Sequence, residues 1–187
     1  MLAPRRATRA CTRRDPRLPV SGGIVTAGIS EGGALSVLAK NYAPAVMASF
    51  AMSISDYNKT GAVNLAPCLD DQNTAIPPNR LTVVNGASDV LFGGQEPLMN
   101  LSGLTCPNGT FQCWSPDMSG AGWYIVKDSQ VVDGNADHCY ELVGGCSGVG
   151  GFDPHWYFES RFNWSLRPNL DWLATFGTMR VFSPSGQ

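Results

Sequence analysis

Residues 155–166, HWYFESRFNWSL, alternate apolar and polar side chains over twelve positions. Trp156, Phe158, Phe162, Trp164 and Leu166 share one parity, with Ser160 the small polar member. His155, Tyr157, Glu159, Arg161, Asn163 and Ser165 take the other. A period of two predicts a strand with one buried face. Trp156 and Trp164 are then core residues and His155 a solvent-facing one. RPN turns the chain, and WLATFGTMRVF is expected to return as an antiparallel partner.

Shorter runs point the same way. AVMASFAMSIS alternates apolar residues with small ones and serines, while RLTVV and WYIVKDSQVV are β-branched and bounded by turn formers. ALSVLAKNY spaces Leu35, Leu38 and Tyr42 helically and meets Pro44, so a short helix is expected there. The glycine-rich run 18–33 reads as a flexible linker. These signals predict an all-β chain: an antiparallel β-sandwich of jelly-roll type over 45–187, a linker with a short helix over 18–44, and a flexible basic arm over 1–17.

The arm is the sharpest charge feature. Arg5, Arg6, Arg9, Arg13, Arg14 and Arg17 stand against Asp15 alone, a net +5 in seventeen residues. The other 170 residues carry seven basic and fourteen acidic side chains, a net of −7. Arginine suits phosphate in both charge and forked geometry. The same composition fits an organelle presequence or a solubilising tail. Pro4, Pro16 and Pro19 make it a poor membrane helix. No apolar run follows to make a secretory signal, and none is long enough to span a bilayer.

Several chemical motifs come close without closing. DYNKTGAVN starts like a calcium loop, but its twelfth position is Pro67. DGNADHCYE is the better candidate: Asp133, Asn135 and Asp137 can aim oxygens at one calcium ion, with Glu141 as a further ligand. Asp70 and Asp71 are adjacent and point oppositely on an extended chain. GGCSGVGG around Ser147 misses G-x-S-x-G because Val149 replaces the last glycine, so Ser–His–Asp hydrolysis is not expected, and His138 reads as a loop residue. Trp114 and Trp123 border a loop and suggest a stacking platform for a sugar or base. Cys106/Cys113 and Cys139/Cys146 are candidate local disulfides in an exported chain, where the sequons at Asn58, Asn100, Asn108 and Asn163 would also matter. In a reducing compartment the cysteines are small apolar residues.

An arginine-rich arm, a glycine-rich hinge and a β body resemble the jelly-roll coat proteins of small icosahedral positive-strand RNA viruses. HWYFESRF followed by WLATFGTMRVFSPSG is similar in order and texture to the closing strands of such coats. The resemblance implies a non-enzymatic capsid protein of the virion and host cytoplasm that associates with its own copies and contacts packaged RNA through the arm. It also implies calcium at subunit contacts, a role for DGNAD. Two alternatives stand beside it: an organelle-imported accessory subunit with residues 1–20 as presequence, and a secreted, disulfide-stabilised glycan-binding sandwich. If the arginines neutralise phosphates on single strands, a peptide of residues 1–20 will bind RNA with a log–log salt slope of about −4. A slope near zero in a fluorescence titration contradicts that role.

Overall fold

The chain alternates strands with helices, and the strands pair in parallel. A computed structural model describes residues 23–54, 75–90, 94–142 and 153–177. Its elements are β1 (Ile24–Ile29), α1 (Glu31–Tyr42), β2 (Val46–Met52), β3 (Leu81–Gly86), α2 (Gln95–Ser102), β4 (Gln112–Trp114), β5 (Gly122–Val126), α3 (Pro154–Phe158) and α4 (Leu166–Ala174). One five-stranded sheet has the order β1-β2-β3-β5-β4. Its pairs β1–β2, β2–β3 and β3–β5 are parallel, and only the short β4 runs antiparallel to β5. The fold is therefore mixed α/β, and the expected all-β antiparallel sandwich of jelly-roll type is corrected. A parallel pair needs a long crossover, usually a helix, and α1 supplies it between β1 and β2.

The correction has local causes. β1 lies in the glycine-rich run read as a linker, and α1 starts two residues after it. At HWYFESRFNWSL, Asp153 Oδ1 accepts the Trp156 N–H at 3.0 Å and Pro154 takes the first helical position. A side-chain cap followed by Pro starts a helix, here α3. Ser165 then opens α4, so WLATFG is helical through Ala174 where a strand was expected. Trp156 and Trp164 are both buried as anticipated, but through a helix and a turn. The strands expected from AVMASFAMSIS and RLTVV form as β2 and β3, and the helix expected before Pro44 forms as the later part of α1.

Helices cover both faces of the sheet. On one, Val37 of α1 and Leu98 and Leu101 of α2 meet Val83, Trp123 and Ile125. On the other, Trp156 and Leu173 meet Phe50, Val84 and Val126, together with Tyr140 and Trp164. Burial on both faces explains why β2 and β3 are almost wholly apolar or small. Trp156 centres the second face: it stacks on Trp164 at 6.5 Å and meets Tyr140 edge-on at 5.7 Å. Cys106 and Cys113 form a disulfide that holds β4 to the segment leaving α2. Among the described residues no helix is long and apolar enough to cross a membrane. Trp156→Ala is expected to cost about 3–5 kcal/mol, read as a lower urea midpoint; a loss under about 1 kcal/mol contradicts this packing.

Candidate functional site

The parallel strands end together at one edge, the place where open α/β sheets hold ligands. At the end of β1 the chain passes from strand to helix through one residue, Ser30. Its φ of 56° and ψ of −126° put a non-glycine residue in the left-handed half of conformational space. Such a conformation is costly and persists only where its surroundings enforce it. Here the Ser30 N–H donates to Met52 O at 2.9 Å and its carbonyl accepts the Ala34 N–H at 3.1 Å. The Ser30 hydroxyl caps no N–H of α1.

Glycines permit the turn. A Cβ on Gly28 would sit 2.1 Å from Gly32 O, and one on Gly33 would sit 2.5 Å from Ile54 Cγ2 and 3.0 Å from Gly28 O. Strand and helix thus approach too closely for side chains. The stretch Gly28-Ile29-Ser30-Glu31-Gly32 is G-x-S-x-G, here placed between a strand and a helix. The sequence reading tested this pattern only at Ser147, which lies outside the described residues.

Two strands away, the loop after β3 carries Asp89 and the loop after β5 carries His138. His138 Nδ1 lies 2.9 Å from Asp89 Oδ2, with the Asp89 side chain fully buried and the imidazole 17% exposed. The two loops are joined by further bonds. Ser88 N–H donates to Ala136 O at 3.0 Å, Ser88 Oγ meets Asp128 Oδ2 at 3.0 Å, and Asp128 Oδ1 accepts the Ala136 N–H at 2.9 Å. Gly86 makes room, because a Cβ there would lie 1.9 Å from Ala136 O. With strands about 4.8 Å apart, the ends of β1 and β3 are separated by about 10 Å. Of the contacts a Ser–His–Asp relay needs, the structure displays the Asp89–His138 one and sets Ser30 on the same edge.

The run DGNADHCYE serves this loop. Asp133 Oδ1 accepts the Asn135 N–H at 3.0 Å and Asp137 Oδ1 accepts the Cys139 N–H at 2.7 Å, on either side of His138's own loop position. Asn135 turns its amide nitrogen, not its oxygen, toward Asp137 Oδ2 at 3.2 Å. Asp133 is exposed while Glu141 is buried. Among the described residues no group of three His, Cys, Asp or Glu is arranged to hold a metal.

Behind His138 lies a second carboxyl. Glu141 is buried; Tyr140 Oη donates to its Oε1 at 2.8 Å, and Tyr157 Oη donates to its backbone carbonyl at 2.7 Å. Ser53 Oγ is near enough to favour the ionised acid, yet neither Ser53 Oγ nor Glu141 Oε2 completes a hydrogen bond. Burial lifts the Glu141 pKa from 4.5 to about 8; the Tyr140 and Ser53 hydroxyls oppose the rise and the charge of Asp89 adds to it. Burial likewise raises Tyr140 well above its usual range, with the charge of Glu141 adding to it.

Other anticipated residues fall elsewhere. Arg5, Arg6, Arg9, Arg13, Arg14, Arg17, Asp70 and Asp71 lie outside the described residues. Trp123 is wholly buried and cannot form a platform. Trp114 lines a cleft of about 290 Å³ with Trp172, Gly120 and Asn163, beside the first residue of β5 and so away from the Ser30 edge. His155, on α3, brings Nδ1 within 2.8 Å of Gln130 O. A larger cleft of about 630 Å³ along β4 is lined by Phe111, Tyr124, Lys127 and Gln130, and among the described residues no acid, cysteine or histidine lines it. Cys106–Cys113 is formed as one of the candidate local disulfides, and Cys139 is disulfide-bonded as well.

Gly28→Ala is expected to lower stability by about 1–3 kcal/mol through overpacking, measured by urea unfolding. Gly32→Ala is the control, since open space surrounds Gly32. Equal losses in both variants contradict the close approach. Compared with family models, with curated proteins and with solved structures, the chain matches none.

Proposed function

We propose that this protein is a serine hydrolase that cleaves acyl esters through a covalent acyl-Ser30 intermediate. One observation carries the reading: a strained serine between strand and helix, inside G-x-S-x-G, on the sheet edge that holds the buried Asp89–His138 pair. Among the described non-glycine residues Ser30, Ser53 and Met118 have positive φ. Such outliers cluster at functional sites, and Ser30 is the one of the three inside G-x-S-x-G between a strand and a helix. The chain order Ser30, Asp89, His138 is similar to that of nucleophile, acid and base on α/β-hydrolase sheets.

Each group then has a role. Asp89 accepts from His138 Nδ1–H, which leaves Nε2 as the base and stabilises the imidazolium once it forms. His138 Nε2 takes the Ser30 proton as Oγ attacks the ester carbonyl. The Glu31 N–H, first in α1 and without an intrahelical acceptor, is the donor this reading assigns to the oxyanion of the tetrahedral intermediate. Collapse breaks the C–O bond, and the leaving alcohol takes the proton from His138. A water molecule, deprotonated by His138, then releases the acid and restores Ser30. The disulfides suit an oxidising compartment. A coat-protein role had its support in a sandwich that the described residues do not form, and RNA binding by residues 1–17 is a separate proposal.

Hydrolysis of p-nitrophenyl acetate and butyrate tests the reading. Ser30→Ala is expected to lower kcat/KM by about 10³-fold or more, and Asp89→Asn to lower kcat by about 10⁴-fold through the wrong imidazole tautomer. Circular dichroism checks that both variants fold. A Ser30→Ala protein that hydrolyses these esters at the unsubstituted rate overturns the proposal.

A further inference from the structure

We propose that Glu141 is a positioning residue whose neutral carboxyl ties the His138 loop to the end of β2 that anchors Ser30, and whose ionisation releases that tie. The inference rests on the reading of Ser30, Asp89 and His138 given above.

The geometry supplies both ends of the tie. Glu141 follows His138 by three residues, and its neighbour Tyr140 packs edge-on against Trp156, so this stretch is fixed in the core. Ser53 follows Met52, whose carbonyl receives the Ser30 N–H at 2.9 Å. Ser53 itself has φ 47°, a second non-glycine residue in the left-handed region, and its N–H donates to Val84 O at 2.9 Å. Next to it, Ile54 exchanges two hydrogen bonds with the buried Asn85 side chain, at 3.1 and 2.6 Å. Ser53 Oγ and Glu141 Oε2 are both buried and both without a partner. A protonated Oε2 is a donor whose hydrogen Ser53 Oγ can accept, a bond that would give both buried atoms a partner.

The surroundings favour the neutral acid. The groups around it are Tyr140, Ser53, Asp89 from the β3 loop, Tyr157 on α3, and Asp153 beside Tyr140. Among the described residues these are hydroxyls and acids, and the base of the same loop, His138, is held by Asp89 at 2.9 Å. An ionised Glu141 puts a second negative charge beside Asp89; the Tyr140 and Ser53 hydroxyls offset it only in part, and admitting water through the loop relieves the rest. The direction follows by linkage. A carboxyl raised from 4.5 to about 8 stabilises the fold fully below pH about 4.5, and that contribution is lost as pH rises through about 8.

Glu141→Gln tests the proposal, since the amide is neutral at every pH and can still donate to Ser53. For the unsubstituted protein, kcat/KM is expected to fall about tenfold per pH unit above pH about 8. In Glu141→Gln that alkaline limb disappears up to pH 9.5 while the rate at pH 7 stays within about threefold, roughly a loss of a single weak contact. An alkaline limb of the same midpoint in both proteins overturns the positioning role and leaves the triad standing. Absence of hydrolysis in the unsubstituted protein, equal to Ser30→Ala, overturns the triad and the positioning role together. Should Glu141→Gln not fold, ¹³C NMR of glutamate carboxyls in the unsubstituted protein replaces it, with four glutamates to resolve. One carboxyl titrating near pH 8 supports the proposal, and four titrating below pH 6 overturn it.

Discussion

The site depends on a strand that becomes a helix within one residue. Turning the backbone at Ser30 costs on the order of 1–3 kcal/mol in local strain, and the sheet sustains it. Met52 of β2 holds the Ser30 N–H, Ala34 in the first turn of α1 holds its carbonyl, and Gly28 and Gly33 let strand and helix touch through backbone. A looser connection would relax the turn and swing the hydroxyl away from the sheet edge. Rigid support at a serine that caps no N–H of its own helix is what the proposed nucleophilic role draws on.

The opposite half of the edge solves a different problem, which is to keep an imidazole and two carboxyls in one buried volume. Asp89 is compensated by the His138 ring at 2.9 Å, whereas Glu141 lies behind it with only hydroxyls at hand. Burial therefore pushes Glu141 toward its neutral form behind the Asp89–His138 pair. Asp128 and Ser88 stitch the loops of β3 and β5 together, so the orientation of His138 does not depend on its own contacts alone.

What was legible in the sequence follows the range of the forces involved. β2, β3 and the latter part of α1 could be read because burial on a sheet or helix face leaves its mark within a few residues. β1 was hidden by its glycines: Gly28 is there for a contact with Gly32 and Gly33 that only the folded chain shows, so the run looked like a linker. HWYFESRFNWSL misled because Trp156 and Trp164 are buried by separate local structures that happen to fall on one parity. His138 and Asp89 are 49 residues apart, a pairing that no short pattern encodes. Ser30 was the exception, since G-x-S-x-G after an apolar run stands in the sequence at 28–32, where the pattern had not been sought.

The most direct test of the account is covalent capture of the nucleophile. A fluorophosphonate probe, followed by peptide mass mapping, is expected to place a single adduct on Ser30, and the adduct is expected to vanish in His138→Ala. No adduct under conditions that saturate a known serine hydrolase, or an adduct on another serine that survives Ser30→Ala, contradicts the account.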